Sequence, residues 1–259
     1  MKKLKIIHSI LCQFGINLLK FKNIIYIPLF FKSFFKYKSL NNINKNVVRT
    51  QIDCLFPILG DHKEKSSSVI KHYFNQDLLV ASYININNPK KHVDVGSRVD
   101  GFVAHVASFR KIEVFDIRAN NFQFKNIIFK KKDISKIGKN LINYCDSLSC
   151  LHTLEHFGLG RYGDELDPYG HIKGFKNLIK ILKPGGKLYI SFPISEKNTT
   201  YFNSERSFNP KEILNWSSEL KLEKFDVIDD NEKIFLNVNL YKFNKKIRYG
   251  CGIYTFKKK

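Results

Sequence analysis

A chain of 259 residues with 43% hydrophobic and 14% aromatic side chains has apolar material for one good-sized domain plus an appendage, which excludes disorder as its overall state. No run of 18 uncharged apolar residues occurs, and the five cysteines are odd in number with no Cys-x-x-Cys pair. This excludes a conventional membrane span, a disulfide framework and a thiolate zinc site, and points to a reducing, cytoplasmic compartment.

Lys+Arg 44 against Asp+Glu 23 gives a net charge of +21, a balance that fits polyanionic partners. Only seven of the 44 are arginine, and Lys, Asn, Ile, Phe and Tyr, all abundant here, share A/T-rich codons. Coding bias therefore accounts for part of the excess, and the scarce arginines are expected where a planar, bidentate donor is needed.

The front of the chain, residues 1–52, holds ten Lys/Arg and no acid before Asp53. Ile6, Ile7, Ile10, Leu11, Phe14, Leu18 and Leu19 recur at helical spacing, and Phe30, Phe31, Phe34 and Phe35 repeat the pattern after an expected break at Pro28. This predicts a basic amphipathic helical extension, with two readings: it lies on an anionic membrane surface, at the inner face, or it packs on the main domain. A helical lead-in over 53–89 is expected to pack on the core domain, which spans 90–259.

From Lys90 the pattern becomes alternating α/β. Strands are predicted at His92–Val95, Ile112–Asp116, Asn126–Phe129, Asp146–Leu151 and Lys187–Phe192. A helical stretch through Phe102, Val103, Val106 and Phe109 follows the first, and a helix over Gly174–Leu182 is closed by Lys183-Pro184-Gly185-Gly186. Lys221–Ile228 and Arg248–Phe256 supply the last strands. The fold class is thus a Rossmann-like, doubly wound, mostly parallel sheet whose ligand lies beyond the carboxyl ends of the strands. Asp94, Asp116 and Asp133 fall at three successive strand ends, the first two 22 residues apart. At that separation an acid on strand two reaches a ribose.

Val93-Asp94-Val95-Gly96, Asp116, Asp133, the strand at Asp146 and Leu182-Lys183-Pro184-Gly185-Gly186-Lys187-Leu188 resemble the ordered motifs of class I S-adenosylmethionine-dependent methyltransferases. More narrowly, residues 92–101 (HVDVGSRVDG) and 155–164 (EHFGLGRYGD), together with Phe202-Asn203 and Arg206, and Tyr249-Gly250-Cys251-Gly252, resemble an uncharacterised domain-of-unknown-function family in that superfamily. That resemblance covers residues 70–258 and takes in His72-Tyr73-Phe74 and Gln76-Asp77-Leu78. It implies S-adenosyl-L-methionine as cofactor, with Asp94 and Gly96 near the methionine moiety, Asp116 on the ribose hydroxyls and Asp133 near the adenine. The loop departs from the superfamily pattern: Arg98 and Asp100 replace the second and third glycines, and Gly101 comes one residue late. A nicotinamide dinucleotide suits this loop less, because Arg98 stands where the backbone must approach a pyrophosphate. Ser97 belongs to the same loop, and Arg98 is expected either on the cofactor carboxylate or in a salt bridge with Asp100 or Asp116.

Base candidates cluster after strand four. His152, Glu155 and His156 spell H-x-x-E-H, a zinc-hydrolase pattern when helical. Here it begins at the end of a buried strand, where methyltransferases commonly carry Leu-Glu-His, so no metal is expected. His156 is favoured as base if the acceptor needs one. The glycine-rich loop with Arg161, Tyr162, Asp164 and His171 is read as acceptor pocket, Asn203 as a further acceptor-binding residue, and Arg161 with Arg206 as a grip on an anionic group of the acceptor. Ser149-Cys150-Leu151-His152 replaces the Asn/Asp-Pro-Pro-aromatic turn of enzymes that methylate base amines, so nucleic acid is set aside. The expected activity is methyl transfer to a small-molecule, sugar or lipid-linked glycan acceptor; the alternatives are a catalytically silent Rossmann-like module at a membrane surface and, behind it, an H-x-x-E-H zinc hydrolase.

Overall fold

The computed structural model describes Ile7, residues 11–43, Leu59, and residues 71–118 and 123–259. The chain divides into two compact units, Met1–Ser68 and Val69–Lys259.

In the first unit a 3-10 helical stretch (Leu18–Tyr26) runs into helix α1 (Ile27–Ile43). The expected continuous stripe is interrupted: Gly15, at φ +78°, turns the backbone, and Ile16 N–H closes back on Leu11 O at 2.9 Å. Pro28 opens α1 instead of breaking a helix, since its missing N–H is unneeded in the first turn. Ile6 and Ile10 of the stripe lie outside the described residues.

The second unit begins with helix α2 (Lys71–Asn87), then strand β1 (His92–Val95). A π-turn at Val99–Val103 leads into the short helix α3 (Ala104–Ala107), followed by β2 (Ile112–Asp116), β3 (Ile127–Lys131) and β4 (Cys145–Leu151). Helix α4 (Gly170–Ile181) passes without a loop into β5 (Leu182–Ile194). The hairpin β6 (Thr199–Tyr201) and β7 (Glu205–Ser207) precedes β8 (Leu220–Ile228), β9 (Ile234–Phe235) and β10 (Gly250–Lys258).

The main sheet has the order β3-β2-β1-β4-β5-β10-β8-β9. β1 to β5 pair in parallel, whereas β10 runs antiparallel to both β5 and β8. Strand order reverses between β1 and β4, so the crevice above their carboxyl ends is the place for a ligand. Two apolar layers hold the sheet: Phe175, Leu178 and Ile179 of α4 face one side, and Val80, Ala81 and Ile84 of α2 the other. β1 is buried at all four positions, the pattern of a central parallel strand covered on both faces.

One predicted element differs. Lys183–Gly186, expected as a helix stop and loop, sits within β5 as an irregularity, because the register jumps from Cys145↔Leu182 to Ser147↔Lys187. Cys145, Cys150 and Cys251 are buried thiols, and burial pushes all three thiol pKa values up, which leaves no reactive thiolate among them.

Candidate functional site

The loop after β1 turns at Gly96, whose φ is +69° and where a Cβ would stand 2.5 Å from Thr153 Cγ2. Beneath it Asp94 is wholly buried. Its Oδ2 accepts the Ser97 N–H at 3.0 Å, and its Oδ1 accepts the Ser97 hydroxyl at 2.7 Å as well as that of Ser149. Burial pushes its carboxyl up to about 6, against the pull of the Ser149 and Ser97 hydrogen bonds. Asp94 thus braces the loop from below and lines neither of the two cavities described next, whereas the resemblance implied a place beside the methionine moiety.

Two adjoining cavities lie above the strand ends. The smaller, ≈ 470 Å³, is bounded by Gly96, Asp116, Asp133 and Thr153; the larger, ≈ 670 Å³, by Ser97, Arg98, Arg161 and residues of α2. Gly96, Asp116, Arg118, His152, His156 and Tyr162 line both, so they mark the junction. Two of the three strand-end acids therefore share a hollow. Asp133 holds an Asx turn there, accepting from Ser135 N at 2.8 Å and Ser135 Oγ at 2.6 Å.

Asp116 is engaged by Arg118, whose Nε and Nη2 donate to its two oxygens at 3.0 and 2.8 Å. Burial works against ionisation of Asp116, but the Arg118 guanidinium and N–H outweigh it and hold the carboxyl below its usual range. The Arg118 and Arg161 guanidinium carbons stand 4.8 and 5.1 Å from the centre of the Tyr162 ring, a cation–π contact from each. Arg98 pairs bidentately with Asp100 at 3.1 and 2.7 Å, both side chains exposed. That is the salt-bridge reading of Arg98, and it leaves the larger cavity open.

Sequence reasoning assigned no role to the face of α2 that walls the larger cavity. Tyr73, Gln76 and Asp77 line it, and Gln76 joins Ser191 Oγ to Asp77 through its amide. Asp77 reaches so far because Gly101 admits it: a Cβ there would stand 2.5 Å from Asp77 Oδ2. Gly101 itself lines neither cavity. The available signal was a polar trio at i, i+3 and i+4 of a helix whose buried face is otherwise apolar. Glu205, from β7, also lines this cavity, with Oε1 accepting from the Tyr249 hydroxyl at 2.8 Å.

The H-x-x-E-H residues do not form a helical metal face. His152 follows directly on β4 at φ +46°, and Leu154–His156 is a 3-10 turn. His152 Nδ1 lies 3.0 Å from Glu155 Oε1, and His156 Nδ1 donates to Ser204 O at 2.7 Å. Among the described residues no group of three His, Cys, Asp or Glu is arranged to hold a metal ion. Burial pulls His152 down to about 4 and lowers His156, while burial pushes Glu155 up to about 8 against the opposing pull of His156.

Three expected acceptor residues are placed elsewhere. His171, in the first turn of α4, packs its half-buried ring 5.2 Å from Phe208 and 5.4 Å from Trp216. Asn203 is exposed in the β6–β7 turn and lines neither cavity. Arg206, 4% exposed, spends its guanidinium on the carbonyls of Phe157 (2.7 Å), Glu155 (3.2 Å) and Pro168 (3.4 Å), so it pins the glycine-rich loop and lines neither cavity. Asp164 organises the same loop, accepting from the N–H groups of Gly158, Gly160 and Tyr162. Arg161, Tyr162 and Asp164 do line the cavities.

Residues 90–214 match the family described as "Caenorhabditis protein of unknown function, DUF268". No curated protein matches the chain. Among solved structures, the (4+2)-cyclase SpnF is similar at 12% identity and TM-score 0.52, over 71% of this chain and 80% of that one. The N-methyltransferase NodS from Bradyrhizobium japonicum WM9, in complex with S-adenosyl-L-homocysteine, is similar at 10% identity and TM-score 0.50, over 73% and 89%. Coclaurine N-methyltransferase, bound to N-methylheliamine and SAH, is similar at 8% identity and TM-score 0.51, over 75% and 73%. The chain has the Rossmann-like fold of these methyltransferases, and the resemblance to an uncharacterised family of that fold is borne out. At such identities the likeness establishes fold alone, and a fold shared with a cyclase does not by itself assign a reaction.

Proposed function

We propose that this protein is an S-adenosylmethionine-dependent methyltransferase acting on a small polar acceptor, such as a sugar or lipid-linked glycan. The observation that carries this reading is the meeting of Gly96, Asp116 and Asp133 around one hollow that opens into a second, polar one. The donor set suits an adenosyl group: Asp116 for the ribose diol, Asp133 for the adenine amine, and the Gly96 backbone beneath. Both volumes fall in the usual range for ligand sites, roughly 300–1,000 Å³. A dinucleotide suits it less, because Arg98 occupies the loop position where a pyrophosphate needs bare backbone. When bound, the sulfonium supplies an electrophilic methyl group. The protein's own task is then to align the acceptor in the larger cavity, where Asp77, Arg98, Arg161 and Glu205 offer hydrogen bonds of both senses.

The test is calorimetry with S-adenosylhomocysteine. A micromolar or tighter affinity is the expected result; no heat and no thermal stabilisation would leave the catalytically silent module, a reading favoured by the closure of Asp116 on Arg118.

The same reading takes residues 1–52 to the cytoplasmic face of an anionic membrane. No described helix is long and apolar enough to cross one. Support comes from the first unit, where Phe14, Ile25 and Phe35 stand 77%, 70% and 62% exposed beside exposed Lys22, Lys32 and Lys36. Each lysine near such a surface contributes on the order of 1 kcal/mol. The full chain is expected to float with phosphatidylglycerol vesicles and not with phosphatidylcholine, and 0.5 M salt, used as roughly a threefold excess over physiological ionic strength, should release much of it. Equal partitioning to both vesicle types would overturn the membrane assignment.

A further inference from the structure

We propose that His152, positioned by Glu155, takes the proton from a hydroxyl acceptor held in the larger cavity, so that the methyl group is delivered to oxygen. The inference rests on the methyltransferase reading and names the acceptor class for it.

Four observations converge on His152. It lines both cavities, at the junction a transferred group must cross. Its backbone is in the left-handed region, φ +46°, a conformation uncommon outside glycine and concentrated at functional sites. Its Nδ1 is tied to a carboxylate that is wholly buried and lines neither cavity. Its Nε2 is buried without a hydrogen-bond partner. A buried polar atom left unmet costs about 1–3 kcal/mol, so a group that meets it from the cavity recovers that energy on binding.

His156, the base favoured by the sequence, is less suited. Its Nδ1 donates to the Ser204 carbonyl, and its Nε2 faces Glu155 Oε1 at 3.9 Å. The His152 ring packs against Tyr73 and His72, with ring centres 4.6 and 5.3 Å away. The step balances as follows. The acceptor oxygen forms the bond to the methyl carbon and its proton passes to Nε2, while the carbon–sulfur bond of the sulfonium donor breaks with its electron pair left on sulfur. An uncharged amine needs no such proton acceptor before it attacks; a hydroxyl does.

The protonation of the pair fixes a pH signature. Burial disfavours charge on both members, so the neutral pair keeps the Glu155 proton toward Nδ1 and a proton on Nε2. Losing one proton from this pair leaves Glu155 ionised, Nδ1 protonated and Nε2 bare, the form able to act as base; it grows as pH passes about 8. The groups facing the pair are His156 and Arg161 from the loop after β4, Glu205 and Arg206 from β7, and His72, Tyr73 and Asp77 from α2. Cys150 on β4, and Tyr249 and Cys251 at the head of β10, complete the shell.

Nitrogen-15 imidazole spectra of the full chain, titrated from pH 6 to 10, test this. The His152 signals are expected to change tautomer with a midpoint near 8, and Glu155→Gln to abolish that transition while leaving S-adenosylhomocysteine affinity within about threefold, since Glu155 touches neither cavity. A His152 spectrum that does not change across the range, or one that Glu155→Gln leaves titrating, overturns the proposal, as does a product methylated on nitrogen. The wild-type titration needs no variant to fold. Absent S-adenosylhomocysteine binding would instead sink the methyltransferase reading while leaving the His152 titration to stand as a fact of the fold.

Discussion

Asp116→Ala is expected to weaken S-adenosylhomocysteine binding by roughly 30- to 100-fold, while Arg118→Ala leaves it unchanged or tightens it by up to about fivefold. The first figure follows from the loss of charge-assisted hydrogen bonds to a ribose diol, about 2–3 kcal/mol in total, at about 1.4 kcal/mol per tenfold. The second follows from the state of the free carboxylate. Arg118 holds Asp116 at 2.8 Å, yet its side chain is 59% exposed, and an ion pair so placed contributes about 0–1 kcal/mol. A ligand that borrows the carboxylate therefore displaces a weak partner, and removing that partner beforehand favours binding. Calorimetry on the two variants separates the readings: equal affinity in Asp116→Ala and wild type would mean that the adenosyl group lies elsewhere. Strong weakening in Arg118→Ala would mean that the guanidinium itself holds the ligand. Asp116 keeps its charge to low pH, so the affinity is expected to be flat between pH 5 and 8 as far as this group is concerned.

The fold was legible because its central strands announce themselves. His92–Val95 and Ile112–Asp116 are short apolar runs bounded by Gly or charged turns, and the structure places both within a residue of expectation. Lys183–Gly186 misled because Pro-Gly-Gly reads as punctuation; here it bulges from a strand that has already begun. In the site, the positions of the acids were legible but their directions were not. β1 is buried on both faces, so no polar alternation marks where Asp94 points, and Ser149 on β4 draws it inward. The polar, loop-rich neighbourhoods of Arg206 and His171 suggest ligand binding. Their partners, the carbonyls of the 155–168 loop and the rings of Phe208 and Trp216, are distant in the chain and come together only in the packed unit. The α2 face is silent in the sequence for the same reason: Asp77 gains its meaning from Gly101, 24 residues later.

Arg206→Ala is expected to lower stability by about 3 kcal/mol and the melting temperature by roughly 6–12 °C, an effect on folding that a ligand-gripping arginine would not show. Arg206 as a whole is 4% exposed and burial lowers its pKa, so its charge is tolerated only because carbonyls surround it. Truncation removes donors to Phe157 and Glu155 at 2.7 and 3.2 Å and to Pro168 at 3.4 Å, leaving one buried and two part-buried acceptors unmet where the loop returns to α4. Lysine does not restore them, because one ammonium cannot reach carbonyls on both arms of the loop as a planar fork does. Arg161→Ala is the control: its guanidinium is exposed and meets a single carbonyl, that of Ser204, at 2.9 Å, so its loss should shift melting by no more than about 2 °C. Because Phe157, Gly158 and Pro168 wall the smaller cavity, Arg206→Ala should also weaken S-adenosylhomocysteine binding without touching the ligand. Thermal unfolding of the two variants beside wild type decides it. Unchanged melting in Arg206→Ala together with lost acceptor binding would return that residue to the pocket, and the loop would then need another anchor.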